Sequence, residues 1–205
     1  MSKTYQIIVI GEGSVGKSAL CLRFVKGEFN IEYNPTIEDS YSKDVSVPSG
    51  DAVTLSIIDT AGQEEYISLR EQYYIKGDGF VLVYSIDNKN SFAALRTHRD
   101  SILGLRTNRK SIMILAGNKC DLEQQRLIST EEGKNMAAEW NIPFLETSAR
   151  EDKNVTELFG QMAQMLYEND ADAKPAVKKE ETVAAAPEQT QTQAKKEKKK
   201  KCVLL

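Results

Sequence analysis

The sequence predicts an α/β fold with a mainly parallel sheet, and three features support that prediction. Apolar, β-branched segments alternate with helix-like segments from residue 4 to residue 168, as in parallel strands joined by helices. The first apolar run, 7–10, leads through a glycine-rich loop into a helix-like stretch, 19–25. Residues 39–59 differ, because two strand-like segments flank the turn sequence 48–51 (PSGD) and predict an antiparallel hairpin.

Each element follows from the local pattern, taken in chain order. Strands are predicted where apolar residues run continuously or alternate, at 4–10, 39–47, 53–59, 79–86, 111–118 and 142–147. Helices are predicted at the amphipathic segments 17–26, 68–76, 89–106, 130–140 and 154–168. Because ligands of such sheets bind beyond the carboxyl ends of the strands, the residues that follow each strand are the candidates for a functional site.

Residues 11–18 (GEGSVGKS) match the phosphate-binding loop pattern G-x-x-x-x-G-K-[ST] at every specified position. The loop follows a strand and opens a helix, which surrounds an anion with backbone N–H groups and a helix N-terminus. In such a loop Lys17 reaches the β- and γ-phosphates, and the Ser18 hydroxyl binds Mg²⁺. The expected phosphate contacts are Gly13, Ser14, Val15, Gly16, Lys17, Ser18 and Ala19. The alternative is a glycine-rich turn with a surface lysine.

The segment 59–63 (DTAGQ) follows an apolar strand and carries candidate metal-binding and catalytic groups. Asp59, at the end of that strand, is the usual partner of Mg²⁺ in a phosphate-loop site. Gly62 has no Cβ, so its N–H can approach a γ-phosphate closely. Gln63 has both a donor and an acceptor and can orient a water in line with that phosphate. Taken alone, the segment is equally typical of a polar turn at a strand exit.

Two further strand ends carry candidate residues for base recognition. In 118–121 (NKCD), the Asp121 carboxylate can accept hydrogen bonds from the N1–H and N2–H₂ groups of guanine, a donor pair that adenine lacks. The backbone N–H groups of 148–150 (SAR) can meet the guanine O6 atom. The expected base contacts are Asn118, Lys119, Asp121, Ser148, Ala149 and Arg150. Taken alone, N-K-x-D is also an ordinary start of a helix, and S-A-R is a common tripeptide.

The loop 33–41 (YNPTIEDSY) joins the first helix to the hairpin and is a candidate switch. Thr36 can offer a hydroxyl to Mg²⁺ and a backbone N–H to a γ-phosphate. Since that second contact exists only with a triphosphate, the loop can respond to the state of the nucleotide. The alternative is a plain turn built around Asn34 and Pro35.

The composition indicates an acidic body with a basic C-terminal segment. The 205 residues allow one domain of ordinary size and a tail. Residues 174–201 hold nine lysines and four glutamates, a net charge of +5. Since the whole chain has a net charge of −3, the other residues together carry −8. An acidic body argues against broad nucleic-acid binding. The sequence contains no run of eighteen apolar residues, so no transmembrane helix is expected. Its three widely spaced cysteines suit a reducing cytosol.

The last four residues, 202–205 (CVLL), fit the C-a-a-X prenylation motif, and the terminal leucine favours a geranylgeranyl group on Cys202. One lipid chain needs a second signal for firm anchoring, and the lysines of 195–201 supply it. Residues 170–201 lack aromatic residues and apolar periodicity, which predicts a disordered polybasic linker. The alternative is a solvated lysine run that ends in an incidental cysteine.

Five motifs in this order and spacing resemble the Ras family of small GTPases over about residues 4–168. The segment 33–41 is similar to the effector loop of the Ras and Rap branch, although Asn34 stands where that branch usually has Asp. The resemblance implies a P-loop GTPase domain at 1–169, with a six-stranded sheet, one antiparallel edge strand and five helices. It also implies GTP or GDP with Mg²⁺, and slow GTP hydrolysis in which Gln63 positions the water and Lys17 stabilises charge on the phosphates.

The resemblance also implies partners. Nucleotide contacts are implied for Phe29, Tyr33 and Pro35, and effector contacts for Tyr33, Ile37, Glu38, Asp39, Ser40 and Tyr41. The implied partners are a GTPase-activating protein, a guanine-nucleotide exchange factor, effector proteins and a membrane, without nucleic acid. The expected location is the cytoplasmic face of a membrane, with the plasma membrane first among the candidates.

Two other function classes stay open at this point. An ATP-using phosphate-loop kinase would need an acceptor site and no guanine selector, and Asp121 argues against it. A non-hydrolysing GTP-bound scaffold is disfavoured by Gln63 and by Gly13, which matches a glycine that hydrolysis in the family commonly requires.

The remaining conspicuous side chains have structural interpretations. His98 is expected on the surface. Trp140, Met162 and Met165 are expected in the core or at its edge. Four arginines are expected on a solvated helix face: Arg96, Arg99, Arg106 and Arg109. The alternative is a patch that faces a membrane.

Overall fold

Six strands and five α-helices form within residues 3–29, 38–60 and 67–173, which the computed structural model describes, with the backbone alone for 67–70 and 172–173. The strands are β1 (Lys3–Ile10), β2 (Glu38–Ser46), β3 (Ala52–Thr60), β4 (Gly79–Ser85), β5 (Ile112–Asn118) and β6 (Phe144–Glu146). The helices are α1 (Lys17–Lys26), α2 (Ile67–Lys76), α3 (Lys89–Leu105), α4 (Thr130–Trp140) and α5 (Val155–Ala173), and a 3₁₀ turn spans Glu123–Gln125. Every predicted strand and helix is present.

The strands form one sheet in the order β2-β3-β1-β4-β5-β6. All neighbours pair in parallel except β2 and β3, which run antiparallel from Glu38 opposite Thr60 to Ser46 opposite Ala52. The hairpin turn lies at the predicted place. Gly50 has a φ of 89° and donates its N–H to the Val47 carbonyl at 2.9 Å, a conformation that glycine adopts without strain. The predicted fold class and its antiparallel edge are therefore confirmed.

The sheet separates two apolar clusters, because successive side chains of a strand point to opposite faces. Along β1, Ile7 and Val9 belong to the cluster covered by α1 and α5, whereas Ile8 and Ile10 belong to the cluster covered by α2, α3 and α4. Strands β4 and β5 are buried along their whole length. This packed centre fixes the carboxyl ends of the five parallel strands at one edge of the sheet. The predicted core positions Trp140, Met162 and Met165 are buried or pack against the core.

Helix α5 continues to Ala173, beyond the predicted end at 168. Its last turns are held by polar contacts: Lys3 of β1 donates to Asp170, and the Tyr167 hydroxyl donates to Asp51. Apolar periodicity cannot report such contacts, which explains the short prediction. The rest of the predicted linker, from residue 174, and the Cys202 motif lie outside the described residues, so the domain boundaries stay predictions. Among the described helices, none is both long enough and apolar enough to cross a membrane.

The prediction that His98 lies on the surface is wrong, because this residue of α3 is only 7% exposed. Its Nδ1 atom lies 2.9 Å from the Tyr74 hydroxyl of α2, and its Nε2 atom lies 3.4 Å from the Glu12 carboxylate. A polar residue on an amphipathic helix is usually solvated, and only the tertiary position of α2 and of the phosphate loop reverses that expectation.

The solvated face predicted for the four arginines needs a similar correction at Arg106, which is 6% exposed. Its Nη1 atom donates to the backbone carbonyls of Tyr74, Ile75 and Gly77 at 3.0, 3.0 and 2.7 Å. These carbonyls belong to the end of α2, where a helix leaves its last C=O groups without intrahelical partners. Arg106 therefore caps α2 from the end of α3. The other three arginines remain at least partly exposed.

We expect Arg106→Met to lower the free energy of unfolding by about 2 kcal/mol or more, because it leaves buried carbonyls without donors. Arg96→Met is the matched control: both guanidinium groups lie over an aromatic ring, that of Phe80 for Arg106 and that of Trp140 for Arg96. Arg96 is half exposed, and its ion pair with Glu139 should contribute at most about 1 kcal/mol. Urea unfolding of both variants measures the difference, and equal losses would contradict the capping role.

Candidate functional site

The phosphate-loop segment lies between β1 and α1, and two of its glycines are required by the geometry. Gly11 has a φ of 154°, and a Cβ there would come within 2.1 Å of the Val83 carbonyl oxygen. Gly16 has a φ of 95°, and a Cβ there would come within 2.4 Å of the Asn118 amide nitrogen. The loop therefore passes closely over the ends of β4 and β5, which only residues without a Cβ permit. Gly13, in contrast, faces open space.

The start of α1 has the properties of an anion site. Its N-cap is Gly16, which has no side chain to accept from the first-turn N–H groups, and its first turn holds no acidic residue. Lys17 opens the helix, is only 6% exposed, and donates from Nζ to the Glu12 backbone oxygen at 3.0 Å. The Lys17 ammonium group and the positive end of the α1 dipole lie at the same place, and both attract an anion. These residues therefore fit a phosphate group.

The Ser18 hydroxyl donates to the Asp59 carboxylate, which joins the first turn of α1 to the end of β3. Asp59 is fully buried, and the parallel pairing of β3 with β1 places it opposite Val9. Hydroxyl and carboxylate oxygens are ligands that Mg²⁺ accepts, and Mg²⁺ in phosphate sites is commonly held by one or two such side chains with phosphate oxygens. The pair therefore fits Mg²⁺.

Three loops at the strand ends meet at Asn118. Its Nδ2 atom donates to the Val15 carbonyl at 2.8 Å, and its Oδ1 atom accepts from the Thr147 hydroxyl at 3.1 Å. Asn118 is 1% exposed, so both ends of its amide are satisfied inside the protein. The phosphate loop is thereby held in a fixed position relative to 118–121 and 147–150.

A separate contact between the two base-recognition loops fixes Asp121, the carboxylate predicted to select the base. The Ser148 hydroxyl donates to Asp121 Oδ1 at 2.6 Å and accepts from the Glu151 N–H at 3.0 Å. Lys119 has a φ of 62°, which turns the chain sharply out of β5. Asp121 is half-buried, so part of its carboxylate remains able to accept from a ligand. The arrangement fits a base that presents two adjacent donors, as guanine does.

Two residues that hold this region were not predicted from the sequence. Thr147 supplies the hydroxyl that orients Asn118. Arg23 of α1 donates to the backbone oxygens of Ala149 and Arg150 at 2.7 and 3.2 Å, and its guanidinium lies 5.8 Å from the Phe29 ring centre. Arg23 thus holds the loop 147–150 against α1. No pattern marks Arg23, because its partners are backbone carbonyls more than 120 residues away along the chain.

The predicted effector segment, 33–41, is described only from Glu38 onward, where it forms the start of the edge strand β2. Glu38, Asp39 and Ser40 are exposed. Tyr41 packs partly against the core, and burial together with the Asp39 charge raises its pKa to about 12. An edge strand presents backbone groups that can pair with another chain. The remaining predicted residues of the two switch loops, Tyr33, Pro35, Thr36, Ile37, Gly62 and Gln63, lie outside the described residues, and their roles stay predictions.

A comparison with protein-family models matches residues 6–168 to the Ras family. The matched span contains the phosphate loop, the Ser18–Asp59 pair and the two loops that Asn118 joins to the phosphate loop. It covers more than three quarters of the 205 residues. The chain therefore belongs to the Ras family of small GTPases.

Proposed function

We propose that this chain is a signalling switch that hydrolyses GTP slowly by itself and faster with an activating protein. Membership in the Ras family supports guanine-nucleotide binding and GTP hydrolysis in general. The observation that carries the proposal is the buried Asn118 amide, which ties the phosphate loop to the base-recognition loops. One nucleotide can therefore contact both, with its phosphates at α1 and its base at Asp121.

The described residues supply charge and metal ligands to the proposed reaction. Lys17 would bring its ammonium group to the β- and γ-phosphates. Ser18 and Asp59 would hold Mg²⁺, which when bound neutralises part of the charge on the phosphate oxygens. We propose that Gln63 orients the attacking water. The first switch loop, 31–41, contains no arginine that could stabilise the developing charge from within the chain, which supports dependence on an activating protein.

The proposed switch rests on contacts that only a triphosphate provides. Thr36 and Gly62 would each bind the γ-phosphate, ordering loops 31–41 and 60–70 until hydrolysis releases them. Effector proteins would then bind the ordered form of the segment 33–41, whose last residues are the exposed start of β2. Because diphosphate release is expected to be slow, a guanine-nucleotide exchange factor is the third kind of protein partner.

We further propose that the protein is lipid-anchored at the cytoplasmic face of a membrane, with the plasma membrane first among the candidates. The support is the Cys202 motif and the six lysines of 195–201. Each lysine near an anionic leaflet adds about 1 kcal/mol of attraction to the single lipid chain. Neither signal alone gives firm anchoring.

We expect Asp121→Ala to lower the preference for GDP over ADP by about 10²-fold, because two hydrogen bonds to a charged group are lost. Competition of unlabelled GDP and ADP against a fluorescent guanine nucleotide measures that preference. Asp152→Ala is the control, since Asp152 is an exposed carboxylate in the loop between β6 and α5. An Asp121→Ala protein that still prefers guanine as strongly as the wild type would refute the assignment of Asp121.

We expect Gln63→Leu to keep its affinity for GTP and to lose about 10²-fold in single-turnover hydrolysis, because the attacking water is no longer held in line. Gln72→Leu on the exposed face of α2 makes the same change in side-chain chemistry and should hydrolyse normally. Phosphate release from GTP-loaded protein measures both. Normal hydrolysis by Gln63→Leu would show that another group positions the water.

We expect Cys202→Ser to remove the protein from the membrane fraction of a eukaryotic cell, since the lysines alone bind weakly. Leu205→Ser is the matched control, because a terminal serine favours a farnesyl in place of a geranylgeranyl group. Mass spectrometry should then report a lipid of lower mass on a protein that still reaches membranes. A membrane-bound Cys202→Ser protein would contradict the lipid anchor.

A further inference from the structure

The phosphate loop carries a carboxylate at Glu12, one of the positions that the phosphate-binding pattern leaves unspecified. A negative charge in this loop repels the anion that the loop binds. Glu12 also takes part in the binding geometry, because its backbone oxygen accepts from the Lys17 ammonium at 3.0 Å. The position of its side chain therefore affects how firmly the phosphates are held.

The Glu12 carboxylate is directed to His98 of α3, with Oε1 3.4 Å from the imidazole Nε2 atom. His98 is almost fully buried, and its Nδ1 atom lies 2.9 Å from the Tyr74 hydroxyl of α2. When the ring carries both protons, Nε2–H faces the carboxylate and Nδ1–H can donate to the tyrosine oxygen. With one proton the ring is neutral, and His98 no longer supplies a positive charge next to the Glu12 carboxylate.

The described parts of the other elements around His98 carry few charged side chains that face it. Strand β4, on which α3 packs, contains no Asp, Glu, Lys, Arg or His between Gly79 and Ser85. On α2, the charged residues whose side chains are described, Glu71 and Lys76, are exposed. On α3 itself the neighbouring Arg99 pairs with Asp100. The ionisable groups that the described residues place against the ring include Glu12 from the loop and Tyr74 from α2.

We propose that protonation of His98 neutralises Glu12 and thereby slows the release of bound nucleotide, so that nucleotide retention depends on pH. An imidazole gains its proton between about pH 8 and pH 5. As the pH falls, the ion pair between His98 and Glu12 forms. The Glu12 carboxylate then stays at α3, and its repulsion of the phosphates decreases. The inference rests on guanine-nucleotide binding at the phosphate loop and assigns Glu12 and His98 as positioning residues.

The first test is the rate of release of fluorescent GDP from the full chain with excess Mg²⁺, measured from pH 5.5 to pH 8. Glu12→Gln should release GDP about fivefold more slowly than the wild type at pH 8, and the two should converge at pH 5.5. His98→Gln should match or exceed the wild-type rate at pH 8 and lose the slowing at low pH. The double variant should behave like Glu12→Gln alone.

The control Glu28→Gln removes an exposed carboxylate just after α1 and should reproduce the wild-type profile, including any contribution from titration of the nucleotide itself. Overlap of the Glu12→Gln and wild-type profiles would overturn the proposal, as would faster release from Glu12→Gln at all pH values. Since His98→Gln alters a buried position, Glu12→Gln keeps the proposal testable should the histidine variant fail to fold.

A second readout does not involve release rates. His98 is the single histidine of the chain, so one imidazole signal in a carbon–proton NMR spectrum reports its protonation without assignment. The titration midpoint of GDP-loaded protein should fall in Glu12→Gln and remain unchanged in Glu28→Gln. Equal midpoints would refute the pair even though GDP still binds. Failure of the wild type to bind GDP would instead refute the proposed function.

Discussion

The site depends on one buried side chain, Asn118, whose amide uses both of its ends. The nitrogen reaches the Val15 carbonyl and the oxygen accepts from Thr147, so a single group connects three segments that are distant in the chain. An Asp at this position would lose the donor, and a Thr could not span both partners. Gly16 completes the arrangement, because a Cβ there would occupy the space that the Asn118 amide nitrogen needs. These contacts hold the phosphate loop and the base loops in fixed positions relative to each other.

The sheet determines which ligand such a connection can serve. Parallel pairing brings the carboxyl ends of β3, β1, β4, β5 and β6 to one edge, in that spatial order. The phosphate loop follows β1 and the Asp121 loop follows β5, with β4 between them. Neighbouring strands are about 4.8 Å apart, so these two loops begin about 10 Å apart. That separation suits a molecule with phosphates at one end and a base at the other.

Much of this arrangement could be predicted from the sequence, because the signals that carry it are local. Buried β-branched runs identify β1, β4 and β5, and the glycines of the phosphate loop mark a backbone path that other residues cannot follow. What could not be predicted depends on contacts between distant elements. His98 and Arg106 lie among polar residues of α3, which predicts that both are solvated. The tertiary contacts of α3 with α2, the phosphate loop and Phe80 bury them instead. Arg23 and Thr147 are likewise ordinary residues until the strand ends meet.

The two mispredicted residues act on the same helix. Arg106 binds the carbonyls at the end of α2, and His98 contacts the hydroxyl of Tyr74, whose carbonyl is one of those that Arg106 binds. The C-terminal half of α2 is therefore fastened to α3 by hydrogen bonds that would cost several kcal/mol to break together. If nucleotide state rearranges the segment that precedes α2, we expect the change to end before Tyr74, because beyond that point the helix cannot move without exposing unsatisfied carbonyls. Through Glu12, the same contact to His98 also connects this fixed half of α2 to the phosphate loop.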